Sequence, residues 1–170
     1  MHARDAILSA IRAAAVPAAP AAPPAPARPA YADGDGMHDA FLRVLAEVGG
    51  EGVVRSSGQS VEALVNGWFA NDRRGVLVVR GRFAVAENGA VYVDAAELET
   101  RNSIVLAEHL VVVVPYTAIV PTMHEAVRLM PVDSPCGWFL SGPSKTADIE
   151  QSLVFGAQGS RTHRVIFDRG

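Results

Sequence analysis

A chain of 170 residues with a net charge of −3 lacks the concentrated positive charge of a nucleic-acid-binding domain. Its content of 49% hydrophobic and 19% charged residues predicts one folded domain with a buried core rather than a disordered chain. The most apolar run, residues 110–120, is interrupted by Pro115 and is too short for a membrane-spanning helix, which needs about 20 residues. We therefore expect a cytoplasmic protein with neither a nucleic-acid nor a membrane partner.

The first 32 residues differ in composition from the rest of the chain. Residues 1–15 carry a narrow apolar stripe, which predicts a short N-terminal helix. Residues 16–32 are rich in alanine and proline, and they predict an extended linker because proline cannot continue a helix. Residues 33–170 form the predicted folded domain.

Helices and strands alternate through this domain. Apolar residues at helical spacing predict a helix that Gly49 ends and a second helix that Ser60 caps. A third helix is predicted over residues 120–130, with Met123, Val127 and Met130 on its inner face. Apolar runs predict strands at residues 52–55, 75–80, 110–115, 138–140 and 164–167. This alternation predicts a layered α/β/α domain with a mostly parallel sheet.

The middle of the domain contains the strongest turn signal in the chain. Asn88 and Gly89 stand between two short apolar runs, and Asn-Gly is the dipeptide that a two-strand hairpin favours. Residues 83–94 therefore predict a hairpin, with Glu87 beside its turn.

Cysteine and histidine usage limits the chemistry of the chain. Cys136 is the single cysteine, so the chain alone cannot hold an iron–sulfur cluster, which needs about four thiolates. Cys136 is either a small buried residue or, if a histidine lies beside it, a nucleophile. None of the five histidines has the spacing of a metal ligand set such as HExxH, and we predict no metal site.

Residues 139–159, FLSGPSKTADIEQSLVFGAQG, combine a strand end, a turn of small residues and a predicted helix with Ile149, Leu153 and Val154 on its apolar face. Backbone N–H groups at a helix start favour an anion, and a lysine adds positive charge. The predicted binding residues for a small carboxylate or phosphate are Ser141, Gly142, Ser144, Lys145 and Thr146. The alternative is a tight turn before a well-capped helix, because Asp148 and Glu150 already complement the helix dipole.

The segment SGPSKTADIEQSLVFGAQG resembles the C-terminal signature of the LUD-domain family, of the lactate-utilisation protein C type. A looser resemblance extends back to about Gly75. Gln158 and Ser160 depart from the family pattern, which has His and Pro at these positions. The resemblance implies the fold group of ribose-5-phosphate isomerase, glucosamine-6-phosphate deaminase and the coenzyme A transferases, in which a homodimer is a further expectation.

The resemblance also implies a role in a three-component system that oxidises L-lactate to pyruvate. The other two components resemble iron–sulfur proteins, which would be the partners of this chain. With one cysteine, the chain would be the component without a cluster and would bind no cofactor itself.

The fold group suggests a second hypothesis. In the coenzyme A transferases a Glu beside Asn-Gly is the nucleophile, and residues 86–90 read AENGA. Glu87 is therefore a candidate catalytic residue of a transferase or isomerase acting on a phosphate- or CoA-bearing molecule, with Asn88 and Gly89 at the ligand. A third hypothesis is a binding module without catalysis, because a fold does not determine a function.

Overall fold

The computed structural model describes residues 3–14, 36–134, 136–147 and 153–170. The predicted linker, residues 16–32, therefore lies outside the described residues, as do Asp148, Ile149 and Glu150. The helices are α1 (Ala3–Ala13), α2 (Gly36–Glu47), α3 (Val61–Trp68), α4 (Ser103–Leu106) and α5 (Met123–Leu129). The strands are β1 (Glu51–Val54), β2 (Val76–Arg80), β3 (Phe83–Val85), β4 (Ala90–Asp94), β5 (His109–Pro115), β6 (Ile119–Val120), β7 (Gly137–Leu140), β8 (Lys145–Ala147), β9 (Leu153–Phe155) and β10 (Thr162–Asp168).

A parallel four-stranded sheet, in the order β1-β10-β5-β2, confirms the predicted α/β class. β5 and β10 lie at its centre and pair along seven residues, from His109 opposite Thr162 to Pro115 opposite Asp168. The valine run of β5 suits this position because a parallel strand is covered on both faces.

Alternate residues of the central strands enter two different cores. Val112 and Val114 of β5 join Val165 and Phe167 of β10 in a core that α2 shares through Phe41 and Leu45. Val111 and Ile166 point to the opposite face, where Val65 and Phe69 cover them. The period of two along each strand thus places one layer on each side of the sheet.

A second four-stranded sheet, which the sequence did not predict, has the order β6-β3-β4-β7. Its β3 and β4 form the hairpin that Asn88 and Gly89 predicted. Val91 and Val93 of β4 face the core beneath the parallel sheet, whereas Phe83 and Tyr92 face α5. The domain therefore stacks α3, the parallel sheet, the second sheet and α5, with α2 sharing the central core.

The helix ends follow the predicted capping chemistry. The Ser60 side chain accepts a hydrogen bond from the Ala63 N–H and caps α3. At the end of α2, Gly49 has φ +83°, and the N–H groups of Gly49 and Gly50 donate to Ala46 and Leu45. This is the Schellman pattern, in which glycine takes the left-handed position.

The prediction of a helix after the turn of small residues at 141–144 is wrong for every described residue of that segment. Residues 145–147 and 153–155 form the antiparallel pair β8–β9, with Lys145 opposite Phe155. The Ser144 N–H donates to the Ser160 carbonyl, and the Gly156 N–H donates to the Ser144 carbonyl. These long-range bonds satisfy the backbone groups at the strand ends, so tertiary contacts override the helical spacing of the sequence.

The inner face predicted for α5 is also wrong in part. Val127 is 57% exposed and Met130 lies on the surface, while Ala126 is fully buried. Ala126 and Met123 pack on Phe83 and neighbouring residues of the second sheet. The small alanine side chain makes the close contact, and a count of large apolar residues misses it. None of the described helices has the length and hydrophobicity that a membrane span requires.

Candidate functional site

The two candidate sites predicted from sequence lie side by side. The Ser141 hydroxyl donates to the Asn88 carbonyl oxygen at 2.7 Å, which joins the hairpin turn to the turn after β7. The Asn88 side chain accepts from the Ala90 N–H at 3.1 Å. We call residues 87–89 and 141–145 the turn cluster.

Two glycines allow the turn cluster to pack closely against α2. Gly89 has φ +65°, and a Cβ there would lie 3.0 Å from the Leu45 backbone nitrogen. Gly142 has φ +74°, and a Cβ there would lie 2.7 Å from the Val48 carbonyl oxygen. Both residues need the left-handed region and the missing side chain. The close backbone packing against α2 therefore explains why glycine occupies both positions.

Glu87 contacts α5. Its carboxylate accepts from the Met123 N–H at 3.1 Å, and its own N–H donates to the Pro121 carbonyl. The Thr122 hydroxyl accepts from the Glu125 N–H at 3.3 Å in the same first turn. Glu87 thus satisfies a backbone donor that the helix itself leaves open.

Lys145 contacts the opposite end of a different helix. A Cβ on Gly49 would lie 3.0 Å from the Lys145 Nζ, so the ammonium group lies beside the C-terminal end of α2. A positive charge is favourable there because the last carbonyls carry the negative end of the helix dipole. Glu87 and Lys145 therefore contact different helices, and neither lines the clefts described below.

The structure alters the physical basis of the predicted anion site without testing its residues. No helix begins among described residues 141–147, and the Ser144 N–H already donates to Ser160. The side chain of Thr146 lies outside what the structure describes. Binding through Ser141, Gly142, Ser144, Lys145 or Thr146 stays a prediction, as does catalysis by Glu87.

A larger polar region lies at the carboxyl edge of the parallel sheet. A cleft of about 750 Å³ opens there between three segments that each begin at the last residue of a strand, residues 80–82, 115–117 and 168–170. Val113 and Glu97 complete its lining. We call this the carboxyl-edge cleft. A neighbouring cleft of about 470 Å³ shares Arg169 with it and reaches Arg55 after β1.

Arginines and acids alternate around the carboxyl-edge cleft. Arg82 lies 3.6 Å from the buried Asp94 carboxylate and 3.9 Å from that of Glu97. Arg55 pairs with Asp168. The Gly170 N–H and the Arg55 side chain donate to Asp168 and hold its pKa below the ordinary value. Asp168 is therefore ionised at neutral pH, and Arg55 balances its charge.

An aromatic stack forms one wall of the cleft. The Arg169 guanidinium lies 4.1 Å from the centre of the Tyr116 ring and donates to its hydroxyl at 2.9 Å. His38 stacks on Tyr116 with ring centres 4.0 Å apart and hydrogen-bonds to the Tyr116 carbonyl. These contacts fix Arg169 and Tyr116 relative to the end of β5.

His163 is a buried polar residue outside both regions. It is 1% exposed, and neither ring nitrogen has a hydrogen-bond partner. Burial lowers its pKa to about 4, so the ring is neutral at pH 7. Across the described part of the chain, no three His, Cys, Asp or Glu side chains form a group that could hold a metal ion.

The sequence contains a signal for the carboxyl-edge cleft that motif reading missed. Arg80-Gly81-Arg82 begins at the last residue of the predicted strand 75–80, and Tyr116-Thr117 follows the predicted strand 110–115. Ligands of open α/β sheets bind beyond the carboxyl ends of the strands. Grouping the residues at the carboxyl ends of the predicted parallel strands would therefore have predicted that these side chains lie near one another.

The fold and the cleft together define an α/β domain with a solvent-accessible cleft at the carboxyl edge of its parallel sheet. The model of the LUD domain family matches residues 75–167, more than half of the chain. The chain belongs to the LUD-domain family, as its signature predicted.

Curated relatives are named for lactate utilisation. The chain is 37% identical over 92 residues to Lactate utilization protein C 1 of Bacillus mycoides, covering 49% of this chain and 39% of that protein. It is 34% identical over 105 residues to Lactate utilization protein C of Anoxybacillus flavithermus, covering 59% of this chain and 47% of that protein. The matches thus span less than half the length of these relatives.

A solved structure supports the fold. A DUF162 family protein from Deinococcus radiodurans superposes with a TM-score of 0.51 at 15% identity, covering 78% of this chain and 96% of that one. At this identity the likeness establishes the α/β architecture alone.

Proposed function

We propose that this chain acts in lactate utilisation, as the component of an L-lactate oxidation system that does not itself hold an iron–sulfur cluster. The observation that carries this proposal is the LUD-domain match over residues 75–167, together with relatives named Lactate utilization protein C. The named relatives are the support for placing the chain in a lactate-oxidation system.

The cluster is assigned to partner proteins because this chain has one cysteine. Biological iron–sulfur clusters are generally held by about four thiolates, and Cys136 supplies one. Electrons leaving lactate would therefore pass to iron–sulfur partners, with this chain binding the substrate or holding the assembly together.

Gene deletion in the source organism tests the pathway. Growth on L-lactate as sole carbon source should fail, growth on pyruvate should persist, and the full-length gene should restore growth on lactate. Co-purification with the tagged chain should recover proteins that contain iron and acid-labile sulfide. Normal growth of the deletion strain on lactate would contradict the proposed function.

A second candidate function is supported by the contact between the two turns. The Ser141–Asn88 hydrogen bond places a polar turn beside Glu87, as a transferase or isomerase would require. The Glu87 carboxylate would attack the thioester carbonyl of an acyl-CoA, forming a mixed anhydride and releasing the CoA thiolate. Against this, the carboxylate already accepts from Met123.

Mass spectrometry separates the two candidates. Incubation with acetyl-CoA or succinyl-CoA should add one acyl group to the wild-type chain if Glu87 is a nucleophile, and none to Glu87→Gln. An unmodified wild-type chain would remove covalent transfer from consideration. A binding module without catalysis would then remain beside the lactate proposal.

A further inference from the structure

We propose that the carboxyl-edge cleft binds a small oxyanion, a carboxylate or a phosphate group, with Arg80 as its principal contact and Arg169 beside it. This site is distinct from the turn cluster that the family signature emphasises. The inference does not depend on the pathway proposed above, because it concerns which chemical group the cleft holds.

The position of the cleft is the first argument. Its three main segments begin at the last residues of β2, β5 and β10, three adjacent strands of the parallel sheet. The carboxyl ends of parallel strands converge there, and loops at this edge present ligand contacts in open α/β sheets. The volume of about 750 Å³ lies within the usual range of small-molecule sites, about 300–1,000 Å³.

The charge pairing around the cleft is the second argument. Two arginines at this edge already have carboxylate partners, because Arg82 lies near Asp94 and Glu97 and Arg55 pairs with Asp168. Arg80 has no carboxylate within 4 Å among the described residues. Its positive charge still reaches Asp168, where it helps to lower the pKa of that carboxyl. Arg80 is therefore a cation of this edge that is available to a ligand.

The ordering of the wall is the third argument. Arg169 is held by the Tyr116 ring and hydroxyl, and Tyr116 is held by His38. A guanidinium fixed in this way loses little conformational freedom when a ligand binds. Tyr116 and Thr117 both line the same cleft. Planar guanidinium groups pair in two-point fashion with carboxylate and phosphate oxygens, which sets the class of ligand.

Gly81 lets the backbone at the base of the cleft pack directly on the core. A Cβ on Gly81 would lie 2.6 Å from a Val91 methyl group and 2.8 Å from one of Val112. The chain between Arg80 and Arg82 therefore lies directly on the core. The backbone that carries the two arginines is therefore packed against core residues beside the cleft.

Titration calorimetry on the full chain tests the proposal with three probes: L-lactate, pyruvate and inorganic phosphate. Lactamide, which lacks the carboxylate of lactate, serves as the uncharged control. We expect saturable binding of a carboxylate or of phosphate and none of lactamide. Binding of lactate and pyruvate would indicate a carboxylate ligand, and binding of phosphate a phosphorylated one.

The matched variants are Arg80→Gln and Arg73→Gln. Arg73 is exposed and precedes β2 at the opposite edge of the sheet. Loss of a two-point contact should raise the dissociation constant about tenfold or more for Arg80→Gln and leave it unchanged for Arg73→Gln. An equal effect of the two substitutions would overturn the proposal, as would failure of all three anions to bind.

Chemical-shift mapping locates the site independently of the variants. In nitrogen-15 spectra titrated with the bound anion, the amides of Gly81, Thr117 and Gly170 should shift most. Shifts confined to Ser141 and Lys145 would place the anion in the turn cluster and overturn the inference. A growth defect on lactate without anion binding would support the proposed function while rejecting this site.

Discussion

The turn cluster and the carboxyl-edge cleft use polar residues in opposite ways. In the turn cluster, Ser141 bonds to Asn88, Glu87 bonds to the start of α5, and Lys145 lies at the end of α2. In the cleft, Arg80 borders an open volume of about 750 Å³. A polar motif that is easily recognised in sequence can therefore serve mainly to join secondary-structure elements.

This difference gives separate expectations for the two regions. Substitutions in the turn cluster should change the stability of the domain, because its groups satisfy backbone donors and carbonyls. Substitutions of Arg80 should change ligand binding with little effect on stability. Both the free energy of unfolding and the dissociation constant for an anion should therefore be measured for each variant.

We expect Gly142→Ala to cause the greatest loss of stability. The substitution forces an L-residue to φ +74° and places its Cβ 2.7 Å from the Val48 carbonyl oxygen. The left-handed backbone should cost about 1 kcal/mol and the clash with backbone about 2 kcal/mol more. Urea denaturation should therefore report a loss of about 3 kcal/mol in the free energy of unfolding.

Gly58→Ala is the control for the backbone term alone. Gly58 has φ +88°, but a Cβ there would meet no atom within 4 Å. Its loss should be about 1 kcal/mol. Equal losses in the free energy of unfolding for the two variants would mean that α2 moves aside at no energetic cost. The close packing of the turn cluster would then contribute little to stability.

His163 belongs to neither region and provides the second test. Its pKa is about 4 in the folded protein and has an ordinary value of 6.5, so the unfolded chain binds more protons between these values. Stability from the neutral ring is fully present above pH 6.5 and is lost as the pH falls toward 4. The loss between about pH 7.5 and pH 5 should be roughly 2 kcal/mol.

His163→Leu should remove this pH dependence because it removes two buried nitrogens that lack partners. Urea midpoints from pH 5 to 8 measure the effect, with the exposed His124→Gln as the control. A wild-type slope that persists in His163→Leu would show that His163 is not its source.

Local signals in the sequence predicted much of this fold. The Ser60 cap, the Gly49 helix end and the Asn88-Gly89 hairpin each depend on residues close together in the chain, and the structure has all three. The valine run of β5 likewise encodes a strand covered on both faces. Such features need no knowledge of distant contacts.

The failures involve pairing between distant residues. The spacing of Leu153 and Val154 fits a helix, yet both lie in β9, whose pairing partner is β8. The second sheet forms because β4 pairs with β7, with Val91 opposite Leu140. The carboxyl-edge cleft likewise joins Arg80 to Asp168, which are separated by slightly more than half the chain. The spacing of apolar residues along a short segment carries no information about these long-range contacts.

Glu87→Ala should produce a moderate loss in the turn cluster. It removes the acceptor of the Met123 N–H and a negative charge at the start of α5. A lost helix cap typically costs about 1 kcal/mol, which thermal or urea unfolding resolves. Glu87→Gln keeps an acceptor oxygen and should lose less. The exposed Glu99→Ala is the matched control, and an equal loss for Glu99→Ala would contradict the capping role.

Arg80→Gln should have the smallest effect on stability, within about 0.5 kcal/mol of wild type, because Arg80 is exposed and no carboxylate pairs with it among the described residues. Arg55→Gln, at the same edge, should lose more because it leaves Asp168 without its partner, and Arg55 has a side chain only 13% exposed. Urea denaturation of both variants measures the difference. A large loss for Arg80→Gln would mean that this arginine supports the fold, and reduced anion binding by that variant would then no longer identify a ligand contact. A small loss combined with weakened anion binding separates recognition from folding at this edge of the sheet.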